Sequence, residues 1–248
     1  MTERDHMKNK NANGQTQVSV EKNAEFFLNE YDSYRANIES IYTYSSISLA
    51  LSIKLKGMRR LLDIGNGGVF DYDTTCIEEI VGLDLFLDNL PADIRLPGNV
   101  RMIQGSALDI PNALHSFDGV IMVMLIHHLV GRTVNDCLIN IKQLLSEAHR
   151  VLRPGGKLII MESCVPTWFF IFEKIVYFPA SFAIEKTMKH PPTLQYPVDV
   201  LLEMIESAGF SEVEIENVPK GKYVLQYGIK VPSWITPVQP VLFSAVRP

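Results

Sequence analysis

The stretch Arg60-Leu-Leu-Asp-Ile-Gly-Asn-Gly-Gly-Val69, followed about 20 residues later by Glu79-Ile-Val-Gly-Leu-Asp84, decides how the rest of the chain is read. Large aliphatics run together from Arg60 to Ile64 and end at an acid and a glycine, the pattern of a short strand buried on both faces. Gly65, Gly67 and Gly68 then permit a sharp turn and a close approach to a ligand, because a Cβ at those places blocks either a positive φ or the contact itself. The second run reads as a neighbouring parallel strand, which sets the Asp84 carboxylate beside the glycine turn. A carboxylate there suits the two hydroxyl donors of a ribose.

A nicotinamide or flavin site calls for G-x-G-x-x-G, and the place of its last glycine is held by Phe70, which weighs against a pyrophosphate. Asp63-Ile-Gly-Asn-Gly-Gly68 resembles instead the D-x-G-x-G-x-G turn of the class I S-adenosylmethionine-dependent methyltransferases, with Val69 where the third glycine of that pattern falls. Three further stretches carry the resemblance in order. Asn99 to Pro111 looks like the third strand and adenine-side loop, Phe117 to Leu129 like the fourth strand and its turn, and Glu147 to Glu162 like a helix, a Pro-Gly-Gly turn and the fifth strand.

The resemblance implies a doubly wound, Rossmann-like α/β fold, mostly parallel with an antiparallel last strand and an N-terminal helical extension. It implies S-adenosyl-L-methionine as cofactor, held by Asp63, Gly65, Gly67, Gly68, Asp84, Leu85, Ser106, Ala107 and Val123. The family commonly has an acid after the glycine of the adenine-side loop; here Gly105 is followed by Ser106 and Ala107, with Asp109 three residues on as a lesser candidate. A non-catalytic cofactor-binding protein of the same fold and a nicotinamide oxidoreductase stay open as rival readings.

Composition bounds the surroundings of this core. With 248 residues, 47% hydrophobic and 21% charged, the chain has enough apolar material for one large α/β domain. The net charge of −5 and the lack of a basic cluster interleaved with aromatics disfavour a nucleic-acid substrate. Cys76, Cys137 and Cys164 are odd in number and scattered, so neither a disulfide framework nor a metal motif is expected, and a reducing cytoplasm is the expected compartment.

Residues 1–18 are polar, lack the apolar core of a signal peptide and read as a loose tail ahead of a single domain over 19–248. Within it, 19–58 reads as N-terminal helices, 59–162 as the cofactor core and 163–248 as substrate-side helices and last strands. Between Val20 and Tyr44 the aromatics recur at three- and four-residue steps; Tyr31, Tyr34 and Tyr42 either pack on the sheet or line the substrate cavity. Ile47 to Leu55 fits both periods and is assigned to helix from the resemblance. Asp73 or Thr74 either caps a short helix running to Glu79 or contacts the cofactor directly, capping being the plainer reading. Val134 to Leu152 has one apolar stripe, and Pro154-Gly-Gly156 restarts the chain as a strand over Lys157 to Met161.

Beyond Glu162 the composition shifts: ten of the 14 prolines lie from Pro166 onward, and Trp168 to Phe178 is dominated by aromatic and aliphatic residues. That run falls short of the roughly 20 apolar residues needed to span a bilayer. Core packing, an apolar wall over the substrate and a peripheral membrane contact are its three readings. A helix is expected over Pro197 to Ala208, strands over Ser211 to Val218 and Val238 to Val246, and a long loop over Lys220 to Pro237 with Tyr223 and Trp234 as anchors.

Methyl transfer from a sulfonium is an in-line displacement, helped most by positioning the acceptor and excluding water. A base is needed when the acceptor keeps its proton near neutrality, as an alcohol does. His127 and His128 at the exit of the fourth strand are the candidates, with Glu162 as a base or amine ligand. Each histidine has a plainer reading as a cap or a backbone hydrogen-bond partner, and Cys164 reads as packing. The expected substrate is a small, partly apolar methyl acceptor, oxygen first.

Overall fold

A computed structural model of the chain describes residues 42–87, 95–111, 117–176, 193–226 and 229–248. The expectations for the tail and for Tyr31 and Tyr34 fall outside these residues. Helix α1 (Tyr42–Leu55) leads into strand β1 (Arg60–Ile64), then β2 (Glu79–Asp84), β3 (Val100–Gln104) and β4 (Phe117–Val123). Helix α2 (Val134–Val151) passes directly into β5 (Leu152–Cys164). After it come helix α3 (Val198–Ser207) and strands β6 (Ser211–Asn217), β7 (Tyr223–Gln226), β8 (Ile229–Pro232) and β9 (Gln239–Val246).

The main sheet has the order β3-β2-β1-β4-β5-β9-β6, with β9 antiparallel to both of its neighbours. Strand order reverses beside β1, whose partners are β2 on one side and β4 on the other, both parallel. In open α/β sheets that reversal opens a crevice at the carboxyl ends of the strands. Asp63 to Gly68 and Val123 to His128 lie on either side of it.

Both faces of the sheet are covered, and alternate residues of each strand serve opposite cores. Leu62, Ile64, Val120, Met122, Leu158 and Ile160 join α2 and α3 in one core. Leu61, Ile80, Ile121, Ile159 and Met161 join Ile47, Leu51 and Leu55 of α1 in the other. Three fully buried positions four residues apart on α1 resolve the ambiguous period in favour of helix. On α2, Thr133 accepts from the Asp136 N–H while the Asp136 carboxylate accepts from the Thr133 N–H, a capping box that fixes where the helix starts.

Three expectations need adjusting. The strand expected over Lys157 to Met161 runs over 13 residues, because Leu152 already pairs with Phe117; Pro154-Gly155-Gly156 form an irregularity within it, with Gly155 at φ 75°. The loop expected over Lys220 to Pro237 contains the antiparallel pair β7 and β8, whose four-residue strands are too short to stand out by alternation. The turn after Asp73 is one helical turn, Thr74–Cys76, and not a helix to Glu79, because Glu79 is recruited into β2; its cap is Asp73, which accepts from the Thr75 N–H at 2.9 Å.

Candidate active site

The glycine turn is built as its composition requires. Gly65, Gly67 and Gly68 have φ of 73°, 56° and 77°, values costly for any residue with a Cβ. A Cβ on Gly65 would lie 2.6 Å from a methyl of the Leu125 side chain, which would have to shift to admit it. A Cβ on Gly67 would meet nothing within 4 Å, so this one borders open space. The turn is tied to β2 from both sides: the Gly65 N–H donates to the Leu83 carbonyl at 2.7 Å, and the Gly67 N–H to Asp84 Oδ2 at 2.9 Å. Asp84 Oδ1 accepts from the Phe86 N–H at 2.9 Å. Each carboxylate oxygen keeps a further lone pair for a ribose hydroxyl, and Leu85 lies half-buried beside it.

Asp63 is buried at the end of β1, only 1% exposed. Its Oδ2 accepts from the Tyr72 hydroxyl at 2.7 Å, whereas its Oδ1 has no hydrogen-bond partner. The Asn66 amide lies alongside and eases the charge, yet its Nδ2 closes no bond of normal geometry and is likewise buried and unpartnered. Burial pushes the Asp63 carboxyl up to about 7, against the smaller opposing effects of Asn66 and Tyr72. A buried acceptor and a buried donor without partners, beside open space at Gly67, fit a ligand that carries both an ammonium and a carboxylate. The amino-acid end of S-adenosylmethionine is such a ligand.

The loop after β3 is fastened to α2. Glu147 Oε2 accepts from the Ile110 N–H at 2.8 Å, Arg150 donates to the Ile110 carbonyl at 2.8 Å, and Gln143 donates to the Leu108 carbonyl at 3.2 Å. The Arg150 guanidinium bonded to Glu147 holds that carboxyl below its ordinary range. Ser106 Oγ accepts from the Leu108 N–H at 3.1 Å, which leaves its hydroxyl proton for a ring nitrogen, and Ala107 packs partly into the core. Asp109 is exposed at the edge of the same turn.

At the exit of β4, Val123 is half-buried and Met124 has φ 52°, a conformation that costs a non-glycine residue on the order of 1–3 kcal/mol. The Met124 N–H donates to the Met161 carbonyl at 2.8 Å, and this bond to β5 helps hold the turn. A single helical turn, Ile126–His128, follows. Glu162 of β5 lies fully buried beneath it, accepting from the N–H of Ile126 at 2.9 Å, of His127 at 3.4 Å and of Ser163 at 2.6 Å. Its Oε1 is 2.6 Å from His127 Nδ1.

Three backbone donors point at Glu162 and its Oε1 faces His127 Nδ1, an arrangement that favours the tautomer with the proton on Nδ1 and the lone pair on Nε2. Fully enclosed as it is, Glu162 shows no surface to a substrate, and its side-chain contact towards the turn after β4 is His127. The His128 ring lies 4.2 Å from the His127 ring, and the His127 carbonyl accepts from the Leu194 N–H at 3.1 Å. Cys164 is buried, which pushes its thiol far above the usual range, as packing demands.

Asn66, Tyr72 and Met124 join this site without having been expected there. A tyrosine between two acids carries no local sign of pointing at Asp63, and a positive φ at methionine has no sequence signal. Asn66 stands inside the glycine motif and was legible only as a spacer.

Against this geometry, the comparisons with known proteins are consistent. Residues 62–160 match the family model described as a methyltransferase domain. A demethylmenaquinone methyltransferase of Geobacillus kaustophilus is 30% identical over 171 residues, covering 61% of this chain and 68% of that protein. That of Alkalihalophilus pseudofirmus is 28% identical over 149 residues, covering 53% and 57%. Among solved structures, the N-methyltransferase NodS of Bradyrhizobium japonicum with S-adenosyl-l-homocysteine superposes with a TM-score of 0.59 at 13% identity, over 92% of this chain and 97% of that one. The chain belongs to the class I S-adenosylmethionine-dependent methyltransferases. It is a methyltransferase enzyme whose cofactor is S-adenosylmethionine.

Proposed function

We propose that the protein methylates a small, partly apolar acceptor at an oxygen, with a ring hydroxyl of the quinol type as the first class to test. The observation that carries this reading is the His127–Glu162 pair at the mouth of the crevice. A phenolic hydroxyl has a pKa of about 10, so stripping its proton at pH 7 costs roughly 4 kcal/mol unless a base takes it during transfer. A thiol, with a pKa of about 8.5, loses its proton more readily, whereas an alkylammonium, at about 10.4, holds it as firmly as the phenol does. A histidine held in one tautomer by a buried carboxylate is a device for such a firmly held proton.

When bound, S-adenosylmethionine supplies a methyl group on a sulfonium. The chain's own residues do the rest. Glu162 keeps the proton on Nδ1, Nε2 accepts the hydroxyl proton, and the resulting imidazolium is stabilised by the carboxylate behind it. The glycine turn and Asp84 position the cofactor, while Val123 and the strained Met124 shape the floor between cofactor and acceptor. His128 stands beside the base as a second polar group for the acceptor. The names of the demethylmenaquinone relatives support a hydrophobic ring substrate and not the choice of oxygen, since menaquinone differs from demethylmenaquinone by a methyl on a ring carbon.

The test is product analysis by mass spectrometry with S-adenosylmethionine and a short-chain demethylmenaquinol or a simple catechol. Gain of one methyl on oxygen, with kcat reduced about 100-fold or more in His127→Gln and KM little changed, is the expected result. Turnover that survives His127→Gln, or methylation at another atom, overturns the oxygen assignment.

A further inference from the structure

Tyr72 is an unusual neighbour for the glycine turn. It lies nine residues beyond Asp63, is 6% exposed, and packs in the same core as α1, with Phe70 edge-on to its ring at 6.1 Å. Its hydroxyl donates to Oδ2 of Asp63 and so fixes how the carboxyl is turned, while Oδ1 is buried and accepts no hydrogen bond of normal geometry. We infer that Tyr72 is a positioning residue for the cofactor: by occupying Oδ2 it aims Oδ1 of an ionised Asp63 at the ammonium of the cofactor's amino-acid end, so that cofactor affinity depends on the charge of Asp63. This rests on the cofactor assignment and is independent of the acceptor.

Two features make the coupling visible near neutrality. Burial raises the Asp63 carboxyl to about 7, so the free protein carries it in both states within the working range. A neutral carboxylic acid offers an ammonium far less than a carboxylate does, since charge-assisted hydrogen bonds are roughly twice as strong as neutral ones. The groups that act on Asp63 are few. Asp71 and Asp84 raise it, Tyr72 and Asn66 lower it, and its register partners Gly82 on β2 and Ile121 on β4 carry no titratable group. Because the Tyr72 hydroxyl lowers the Asp63 pKa, its removal moves the titration to higher pH.

The experiment is calorimetric titration of the full chain with S-adenosylhomocysteine between pH 6 and pH 8, where its ammonium stays charged. Methylthioadenosine, which keeps the nucleoside and lacks the amino-acid end, is the control ligand. For a group titrating near 7 whose ionised form alone binds, Kd rises about tenfold from pH 8 to pH 6. The same change is absent for methylthioadenosine. In Tyr72→Phe the midpoint of the Kd profile shifts to higher pH and binding at pH 7 weakens several-fold. In Asp63→Asn the profile flattens.

Far-UV circular dichroism and unfolding midpoints without ligand establish that each variant is folded. If Asp63→Asn does not fold, Tyr72→Phe and the control ligand still decide. A Kd for S-adenosylhomocysteine equal at pH 6 and pH 8, a Tyr72→Phe profile that overlays the wild type, or an equal pH response to methylthioadenosine overturns the inference while the cofactor assignment stands. Failure of the wild type to bind S-adenosylhomocysteine at any pH overturns both, and is told apart by that result alone.

Discussion

Asp63 and Glu162 are both buried carboxylates at strand ends, yet their surroundings give them different work. Glu162 is bonded on both oxygens to backbone N–H groups and to His127. Asp63 accepts from one hydroxyl on Oδ2, with the Asn66 amide alongside and no bond of normal geometry on Oδ1. The consequence for stability can be signed. The folded pKa of Asp63, about 7, lies above its ordinary 3.8, so between those values the native state binds more protons than the unfolded chain. Stability from this residue is therefore lost as pH rises from 4 towards 7 and stays lost above. At 1.36 kcal/mol per unit the penalty reaches up to about 4 kcal/mol. Asp63→Asn, which keeps an oxygen for Tyr72, should gain stability relative to the wild type in urea unfolding at pH 8 and much less at pH 4.5. An equal difference at both pH values would show that Asp63 is not held near neutrality. At the other carboxylate, Glu162→Gln offers an amide N–H as well as an oxygen to His127 and loosens the tautomer. Loss of kcat by about 100-fold without a matching rise in KM is expected in steady-state assays. A pure KM effect would place Glu162 outside the proton path.

At the scale of elements, the glycine turn separates two duties that the same residue type performs. Gly65→Ala meets both a positive φ and a side chain 2.6 Å away, whereas Gly67→Ala meets only the φ. Each should lose about 1–2 kcal/mol from backbone strain, with Gly65→Ala losing more from overpacking. The open side of Gly67 predicts the reverse order for cofactor affinity per unit of lost stability. Thermal unfolding and S-adenosylhomocysteine titration of both variants compare them, and equal ratios would mean that the space beside Gly67 is not where the cofactor sits. The strands that carry this turn were legible because a parallel strand buried on both faces reads as an apolar run. Helix α2 was legible from its stripe and its cap. The pair β7 and β8 was not, since four-residue strands holding Lys230 and Gln226 offer no period to detect. Helix α1 satisfied two periods, and packing of Ile47, Leu51 and Leu55 against β1 and β2 chose between them.

For the molecule as a whole, cofactor binding and folding are linked. A ligand that binds only the native state at a hundred times its Kd adds about 2.7 kcal/mol, which raises the unfolding midpoint by roughly 5–10 °C for a chain of this size. S-adenosylmethionine and S-adenosylhomocysteine should each give that rise in a saturable way, and NADH none; a rise with NADH alone would contradict the site. Among the described residues no helix is long and apolar enough to cross a membrane. The segment after β5 nonetheless turns Trp168, Ile171, Phe172 and Ile175 outward and Phe170 inward, so the expected aromatic run divides between core and surface. By itself the sequence determined the class of fold, the glycine turn, the carboxylate of β2 and the candidate histidines, because each is written in neighbouring residues whose spacing obeys local geometry. Which groups meet was decided only by tertiary structure. His127 and Glu162 are 35 residues apart and touch because β4 and β5 run in parallel register to Val123 and Met161. Tyr72 reaches Asp63 because the turn folds back into the core of α1, and the burial that sets the charge of Asp63 comes from packing on every side, which no local stretch of sequence contains.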